Sequence, residues 1–139
     1  MPDDPRRLAL ADLTARLAAG LATQARAYEA ATSRAEGPLR QALADLGRAK
    51  HSQAADLAPL ARAFGVSAPP SLPETPREAS PDWGVILGEA FQGERSLEVV
   101  ARELAGLTTD GAVRDLALRL VTAAGRDGGE VRKLYLRYS

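Results

Sequence analysis

Two polar residues, Lys50 and Gln53, fall on the apolar stripe of what reads as a long amphipathic helix. At roughly 100° per residue, both side chains lie within about 40° of Leu57, near the centre of that stripe. A lysine buried without partners loses the hydration of its charged form, so it needs acceptors and counter-charges close by. The sequence therefore predicts a buried polar layer around Lys50.

Three further polar side chains fall level with Lys50 when the predicted helices are folded into hairpins. A turn between the first two helices sets Gln24 opposite Lys50, and a turn between the last two sets Glu94 opposite Asp127. We expect the ammonium to pair with Glu94 and Asp127. Gln24 and Gln53 would then satisfy the remaining donors and acceptors.

Each of these residues also has a simpler interpretation. Long side chains on a stripe commonly extend to solvent at the edge of a bundle, which would explain Lys50 and Gln53. Glu94 lies at the margin of its stripe, where a solvated charge is common. Asp127 lies among glycines, where it would cap a helix that restarts at Glu130. The two interpretations differ in the burial that they predict.

Four helices are predicted to position these residues, and no segment shows the alternation of a β-strand. Leucine and alanine recur at helical spacing, and capping residues, glycine or proline bound the segments. The predicted helices are A over residues 5–35, B over 38–64, C over 81–107 and D over 110–138. Between B and C, five prolines within residues 66–81 exclude regular structure and predict a semi-rigid, extended connection.

Two of the helices contain residues that ordinarily interrupt a helix. Pro59 lies inside helix B, and we expect a kink there with the ring toward solvent. Gly125, Gly128 and Gly129 each weaken the middle of helix D by about 1 kcal/mol relative to Ala. Helix D is therefore expected to bend or split near these glycines.

Two short hairpins joined by a long connection predict one all-α domain over residues 1–139. The expected architecture is a four-helix bundle in which helices A, B, C and D run up, down, down and up. The long proline-rich crossover makes this order possible, because extended chain covers about 3.1 Å per residue. Such a connection can span the length of a bundle.

This layout resembles the ferritin-like superfamily, including rubrerythrin-like proteins. In that superfamily, a Glu from each of helices A and C and a Glu-x-x-His from each of helices B and D hold a di-iron centre. The matching positions in this chain are Gln24 on A, residues 50–53 (Lys-His-Ser-Gln) on B, Glu94 on C and residues 124–127 (Ala-Gly-Arg-Asp) on D. Glu94 is the one retained ligand type. The resemblance also implies a homodimer.

The residues at these positions do not predict a conventional metal centre. Two hard cations need several carboxylates and further donors, which Glu94 and Asp127 alone do not supply. An ammonium repels a metal ion and offers no lone pair while it is protonated. We therefore predict no metal-ligating residues, no catalytic residues and no cofactor. Lys50 instead takes over the charge that iron would supply.

Composition limits the classes of function. Eighteen basic residues balance eighteen acidic ones, so no net field draws the chain to nucleic acid or to anionic lipid. The chain has no cysteine, which removes thiolate metal ligands and cysteine nucleophiles. Asp12 and Arg16 interrupt the first apolar stretch, so neither a signal peptide nor a membrane span is expected. The predicted location is the cytoplasm.

These observations favour a non-catalytic structural or interaction protein, and two alternatives stay open. The first is a metal-binding oxidoreductase of the ferritin or rubrerythrin type. It would hold iron or manganese at an incomplete site around Glu94, Asp127 and His51. The second is a helical module that binds another macromolecule through the basic, tyrosine-containing segment 131–138.

Overall fold

The computed structural model describes residues 4–66 and 81–139, and within these residues the regular structure is entirely α-helical. The helices are α1 (Pro5–Thr32), α2 (Gly37–Ala63), α3 (Trp83–Leu107) and α4 (Gly111–Tyr138). The predicted all-α, four-helix architecture is confirmed. The connection predicted over residues 66–81 lies outside the described residues, apart from its two terminal positions. None of the four helices combines the length and the apolar character that crossing a bilayer requires.

Acidic side chains mark the starts of three helices. By accepting hydrogen bonds from free amides of the first turn, they cap α1, α3 and α4. These caps are Asp4, Asp82 and Asp110. The sequence predicts that α3 begins at residue 81, whereas it begins at Trp83. The reason is that Asp82 accepts a hydrogen bond of 3.2 Å from the amide of Val85 and so occupies the capping position.

Helix α1 ends at Thr32, three residues before the predicted boundary at residue 35. The amides of Arg34 and Ala35 donate to carbonyls three residues back rather than four, which tightens and closes the last turn. Gly37 then adopts a φ of 59°, a conformation that favours glycine. The chain thereby reverses direction into α2.

Neither the proline inside α2 nor the glycines inside α4 break the helix that contains them. Pro59 lies within α2 and is exposed, as predicted for its ring. Helix α4 runs without a split through its glycines, so the predicted split is wrong. Gly128 packs closely on α3, since a Cβ added there would lie 3.5 Å from the Cβ of Glu94. Ala124 and Val131 are buried on the same side of α4, and their packing stabilises the segment that the glycines weaken.

Helix α1 packs against both α2 and α3, and α3 packs against α4. Near the start of α1, Leu13 shares an apolar cluster with Leu104, which lies near the end of α3. Near the end of α1, Tyr28 shares a second cluster with Leu87, which lies near the start of α3. Helices α1 and α3 are therefore antiparallel.

A polar layer at the middle of the bundle separates these two apolar clusters. On α1, Gln24 lies between Leu21 of the first cluster and Tyr28 of the second. The other helices show the same division. The polar residues that these helices contribute to the layer are Lys50 and Gln53 on α2, Glu94 on α3 and Asp127 on α4.

Candidate functional site

Lys50 lies at the centre of the polar layer and is 0% exposed. Its Nζ lies 2.5 Å from Glu94 Oε1, 2.9 Å from Gln53 Oε1 and 2.9 Å from Asp127 Oδ2. An ammonium has three N–H donors, and three oxygens surround this one. The donors of Lys50 are therefore occupied within the protein.

The fold of α2 explains how Lys50 reaches these oxygens. Lys50 and Gln53 are three residues apart on one helix, so their side chains lie on the same face. Gly47, one turn earlier, faces α1, since a Cβ there would lie in ordinary contact, 3.5 Å from the Cβ of Tyr28. Lys50 is 0% exposed and Gln53 is 7% exposed. The solvent-exposed interpretation of Lys50 and Gln53 is wrong.

Glu94 and Asp127 are both buried, at 1% and 4% exposure. Glu94 Oε2 accepts hydrogen bonds from the Tyr28 hydroxyl (2.6 Å) and from Gln24 Nε2 (3.2 Å). Asp127 Oδ2 accepts one of 3.0 Å from Gln53 Nε2. Neither simpler interpretation holds, because Glu94 is not solvated and Asp127 lies inside a continuous helix rather than at a cap.

Gln24 connects α1 to α3. Its Nε2 donates to the backbone carbonyl of Ala90 at 2.7 Å, in addition to Glu94. Gly93 leaves the space for this side chain, because a Cβ at that position would lie 2.2 Å from Gln24 Oε1. All five residues predicted for the polar layer are therefore buried and connected to one another through hydrogen bonds or ion pairs.

Two residues of the site were not anticipated. Helical spacing puts Tyr28 on the apolar stripe of the first helix, four residues after Gln24 and on the same face, and that spacing also allows its hydroxyl to reach the layer. Arg126 contacts Asp127 Oδ1 through its Nε at 3.3 Å while its side chain stays mostly exposed. We use the name lysine cluster for the buried set Gln24, Tyr28, Lys50, Gln53, Glu94 and Asp127.

The Tyr28 hydroxyl is held in its neutral form. Burial raises the pKa of Tyr28 above its ordinary value of 10.0, and the negative charge of Glu94, together with the hydrogen bond to it, raises that pKa further. A neutral hydroxyl can donate to the carboxylate of Glu94, whereas a phenolate would repel it. Tyr28 is thus a fixed donor of the lysine cluster.

The formal charges of the site are nearly balanced. Lys50 supplies one positive charge against the two carboxylates, and Arg126 adds a second from the solvent side. Every buried side-chain nitrogen or oxygen of the described residues has a hydrogen-bond partner. Hydrogen bonds to all of its polar atoms offset the cost of burying a charged group.

His51 lies apart from the lysine cluster. Its side chain is 59% exposed and contacts the carboxylate of Glu29 on α1. The structure therefore does not bring His51 together with Glu94 and Asp127, as the oxidoreductase alternative requires. In the segment 131–138, Val131 is buried in the second apolar cluster, and the basic side chains are exposed.

The donor set does not fit a conventional di-iron centre. Within residues 4–66 and 81–139, no three histidine, cysteine, aspartate or glutamate side chains are grouped so that they could hold a metal ion. The two buried carboxylates are bridged by an ammonium instead. A protonated amine cannot ligate a metal.

No protein-family model matches this chain, and no curated protein matches its sequence. The class of protein that the coordinates define is a four-helix protein with a fully buried lysine bridging two carboxylates. What the protein does must be inferred from that geometry.

Proposed function

We propose that this chain is a ferritin-like bundle in which the Lys50 ammonium stands where metal ions would otherwise lie, and that it serves as a non-catalytic structural or interaction protein. The observation that carries the proposal is the position of Lys50 Nζ, 2.5 Å from Glu94 Oε1 and 2.9 Å from Asp127 Oδ2 in a fully buried site. The antiparallel pairing of α1 with α3 supports the ferritin-like order of helices.

The state of the polar groups supports a non-catalytic role. A nucleophilic or basic lysine needs a lone pair and access to a substrate. Lys50 has neither, because it is fully buried with three oxygens around its amine. Both oxygens of Glu94 are likewise engaged by protein donors. The groups of the lysine cluster are used to bind one another.

A structural role follows from where the members of the lysine cluster originate. Gln24 and Tyr28 belong to α1, Lys50 and Gln53 to α2, Glu94 to α3 and Asp127 to α4. Hydrogen bonds and ion pairs at one level thus join all four helices. A buried charged layer tolerates few alternative alignments, because a helix shifted by one turn would leave a charge unpaired. We infer that the cluster sets the register of the bundle.

Restoring the ferritin-like ligands at two positions tests this proposal. The double variant Lys50→Glu/Gln53→His rebuilds a Glu-x-x-His on α2 beside Glu94 and Asp127. We expect the purified parent protein to contain no stoichiometric iron or manganese by elemental analysis, and the double variant to bind manganese. The matched control is Lys50→Gln/Gln53→His, which adds the histidine without the carboxylate and should bind far less.

Two results would contradict the proposal. Stoichiometric iron or manganese in the parent, lost on Glu94→Ala, would favour the oxidoreductase alternative. A folded double variant with no affinity for manganese would show that the positions do not correspond to ferritin-like ligand positions. Circular dichroism separates that result from simple unfolding of the variant.

We further propose that the protein acts as a homodimer in the cytoplasm, as the ferritin-like resemblance implies. Sedimentation equilibrium at micromolar concentration measures the oligomeric state directly. A monomeric mass across that range would contradict the dimer and would leave the proposed role of Lys50 untouched. The two proposals can therefore fail independently.

A further inference from the structure

A cavity of about 380 Å³ opens between α1 and α3, next to the lysine cluster but outside its ion pairs. Sites for small organic ligands commonly occupy about 300 to 1,000 Å³ and have mostly apolar walls with a few polar groups. The walls here are formed largely by small or apolar side chains, which include Ala27, Ala30, Ala31, Ile86, Leu87 and Ala90. Size and lining both match a small-molecule site.

Gln24 supplies a polar group in this wall, and its amide orientation is determined by its neighbours. Its nitrogen faces the carbonyl of Ala90 at 2.7 Å and the carboxylate of Glu94 at 3.2 Å. Both neighbours accept hydrogen bonds and cannot donate them, so the nitrogen must lie on this side. The oxygen of the amide, Oε1, therefore points the other way.

Gln24 Oε1 accepts no hydrogen bond from the described residues. Because every buried side-chain oxygen of these residues has a partner, Oε1 is open to solvent, although Gln24 as a whole is only 6% exposed. The oxygen lies over the Cα of Gly93, where a side chain would collide with it. Gly93 and Gln24 both line the cavity. An unpartnered acceptor in a mostly apolar wall is a site for one hydrogen-bond donor from a ligand.

Tyr28 also borders the cavity, but it is only 1% exposed and its hydroxyl is engaged with Glu94. It therefore supports the wall and offers little surface to a ligand. Arg34 and Glu89 line the cavity as well and carry one charge of each sign, so the lining has no net charge that would favour an ion.

We propose that this cavity binds a small, uncharged, mostly apolar molecule that carries one N–H or O–H donor. The donor bonds Gln24 Oε1, and the apolar body of the ligand packs against the alanine-rich wall. This binding site is independent of the proposed absence of metal at Lys50. It assigns the protein a ligand class that the lysine cluster alone does not.

Two probes of nearly equal shape test the hydrogen bond. Indole has an N–H donor, and benzofuran replaces that group with an oxygen that cannot donate. We expect indole to bind with a Kd about fivefold lower than that of benzofuran, which is the effect of one neutral hydrogen bond. Two-dimensional NMR titration measures both constants and locates the site through the amide signals of Gly93 and Ala30.

A blocking variant tests the location. Ala27 is exposed and lines the cavity, so Ala27→Phe should fill the space without disturbing the core. We expect it to abolish saturable binding of indole. Ala55→Phe is the matched control, because Ala55 is an exposed helical alanine on α2 that lines none of the cavities described. That variant should bind as the parent does.

Three outcomes would overturn the inference. Equal affinity for indole and benzofuran would remove the role of Gln24 Oε1. Unchanged binding in a folded Ala27→Phe protein would place the ligand elsewhere. Failure of the parent to bind either probe at millimolar concentration would show that the cavity is not a site for this class of ligand.

Discussion

At the scale of single residues, Lys50 depends on partners from more than one helix. Glu94 approaches from α3, Asp127 from α4 and Gln53 from the same helix as the lysine. The net contribution of such a buried arrangement to stability is small when complete, because desolvation offsets the attraction. Loss of one member is costly, because the others stay buried without their counter-charge.

Lys50→Ala is therefore expected to lower the free energy of unfolding by about 3 to 5 kcal/mol. Urea denaturation followed by circular dichroism measures the change. The control is Lys133→Ala, which removes an exposed lysine paired with Glu130 and should change stability by less than about 0.5 kcal/mol. A Lys50→Ala protein as stable as the parent would refute the lysine cluster as a charged unit.

Tyr28 should make stability depend on pH in the alkaline range. Its pKa is raised in the folded state, so the folded protein keeps a proton that the unfolded chain loses above its ordinary pKa of 10.0. Stability from this group is fully present below that pH and is lost as the pH rises above it, with a limiting slope of about 1.4 kcal/mol per pH unit for one proton.

The comparison of parent and Tyr28→Phe isolates this proton, because the other alkaline groups titrate in both. Urea melts between pH 9 and pH 11 should show a steeper loss of stability in the parent than in Tyr28→Phe. Parallel pH profiles would mean that Tyr28 ionises equally easily in the folded and unfolded chains. That outcome would contradict its burial beside Glu94.

At the scale of helices, glycines permit the close approach that the site needs. Gly93 on α3 admits the side chain of Gln24 from α1, and Gly128 on α4 packs toward Glu94. Glycine weakens a helix interior by about 0.8 to 1 kcal/mol relative to Ala, so each of these positions gives up local helix stability. At Gly93 the gain is an interhelical contact that a side chain at that position would disrupt.

Two glycine substitutions on α3 should have opposite effects. Gly93→Ala places a Cβ 2.2 Å from Gln24 Oε1 and must displace that buried side chain, so we expect a loss of about 1 to 3 kcal/mol. Gly88→Ala meets nothing within 4 Å and should stabilise the protein by about 0.5 to 1 kcal/mol. Thermal and urea melts compare the two.

The sign of the Gly93→Ala effect is decisive. If both variants were stabilised equally, Gln24 would have moved without cost. Its hydrogen bonds to Ala90 and Glu94 would then contribute nothing to stability.

At the scale of the whole molecule, the polar layer divides the core into two apolar clusters. A continuous apolar core would bury more hydrophobic surface than this arrangement does. If the layer acts as we propose, it restricts the helices to one alignment and does not raise the free energy of unfolding. Removal of the whole layer tests this view better than removal of one member.

Replacement of the charged layer by apolar residues should restore stability. We expect the variant Tyr28→Phe/Lys50→Met/Gln53→Leu/Glu94→Met/Asp127→Leu to be at least as stable as the parent, within about 1 kcal/mol, although Lys50→Ala alone is not. Urea melts measure stability, and the dispersion of NMR signals reports whether one packing is kept. A quintuple variant as unstable as Lys50→Ala would show that the layer itself stabilises the fold.

Sequence alone determined the helical class and the depth of the polar residues in the bundle. Helical periodicity specifies which residues share a face, so the place of Lys50 and Gln53 near Leu57 follows from spacing. Counting back from the short turns likewise set Gln24 level with Lys50 and Glu94 level with Asp127. These are properties of one helix or one hairpin, and they need no knowledge of how helices pack.

Tertiary structure decided what local spacing leaves open. The rotation of each helix about its axis depends on packing against its neighbours, and it buried Glu94, which lies only at the margin of its stripe. Packing on α3 kept α4 continuous through its glycines. The Tyr28 hydroxyl is oriented by the side chain of Glu94, and the Gln24 amide by the backbone carbonyl of Ala90, both on α3. Their roles depend on tertiary structure because a hydrogen bond between helices requires both partners in place.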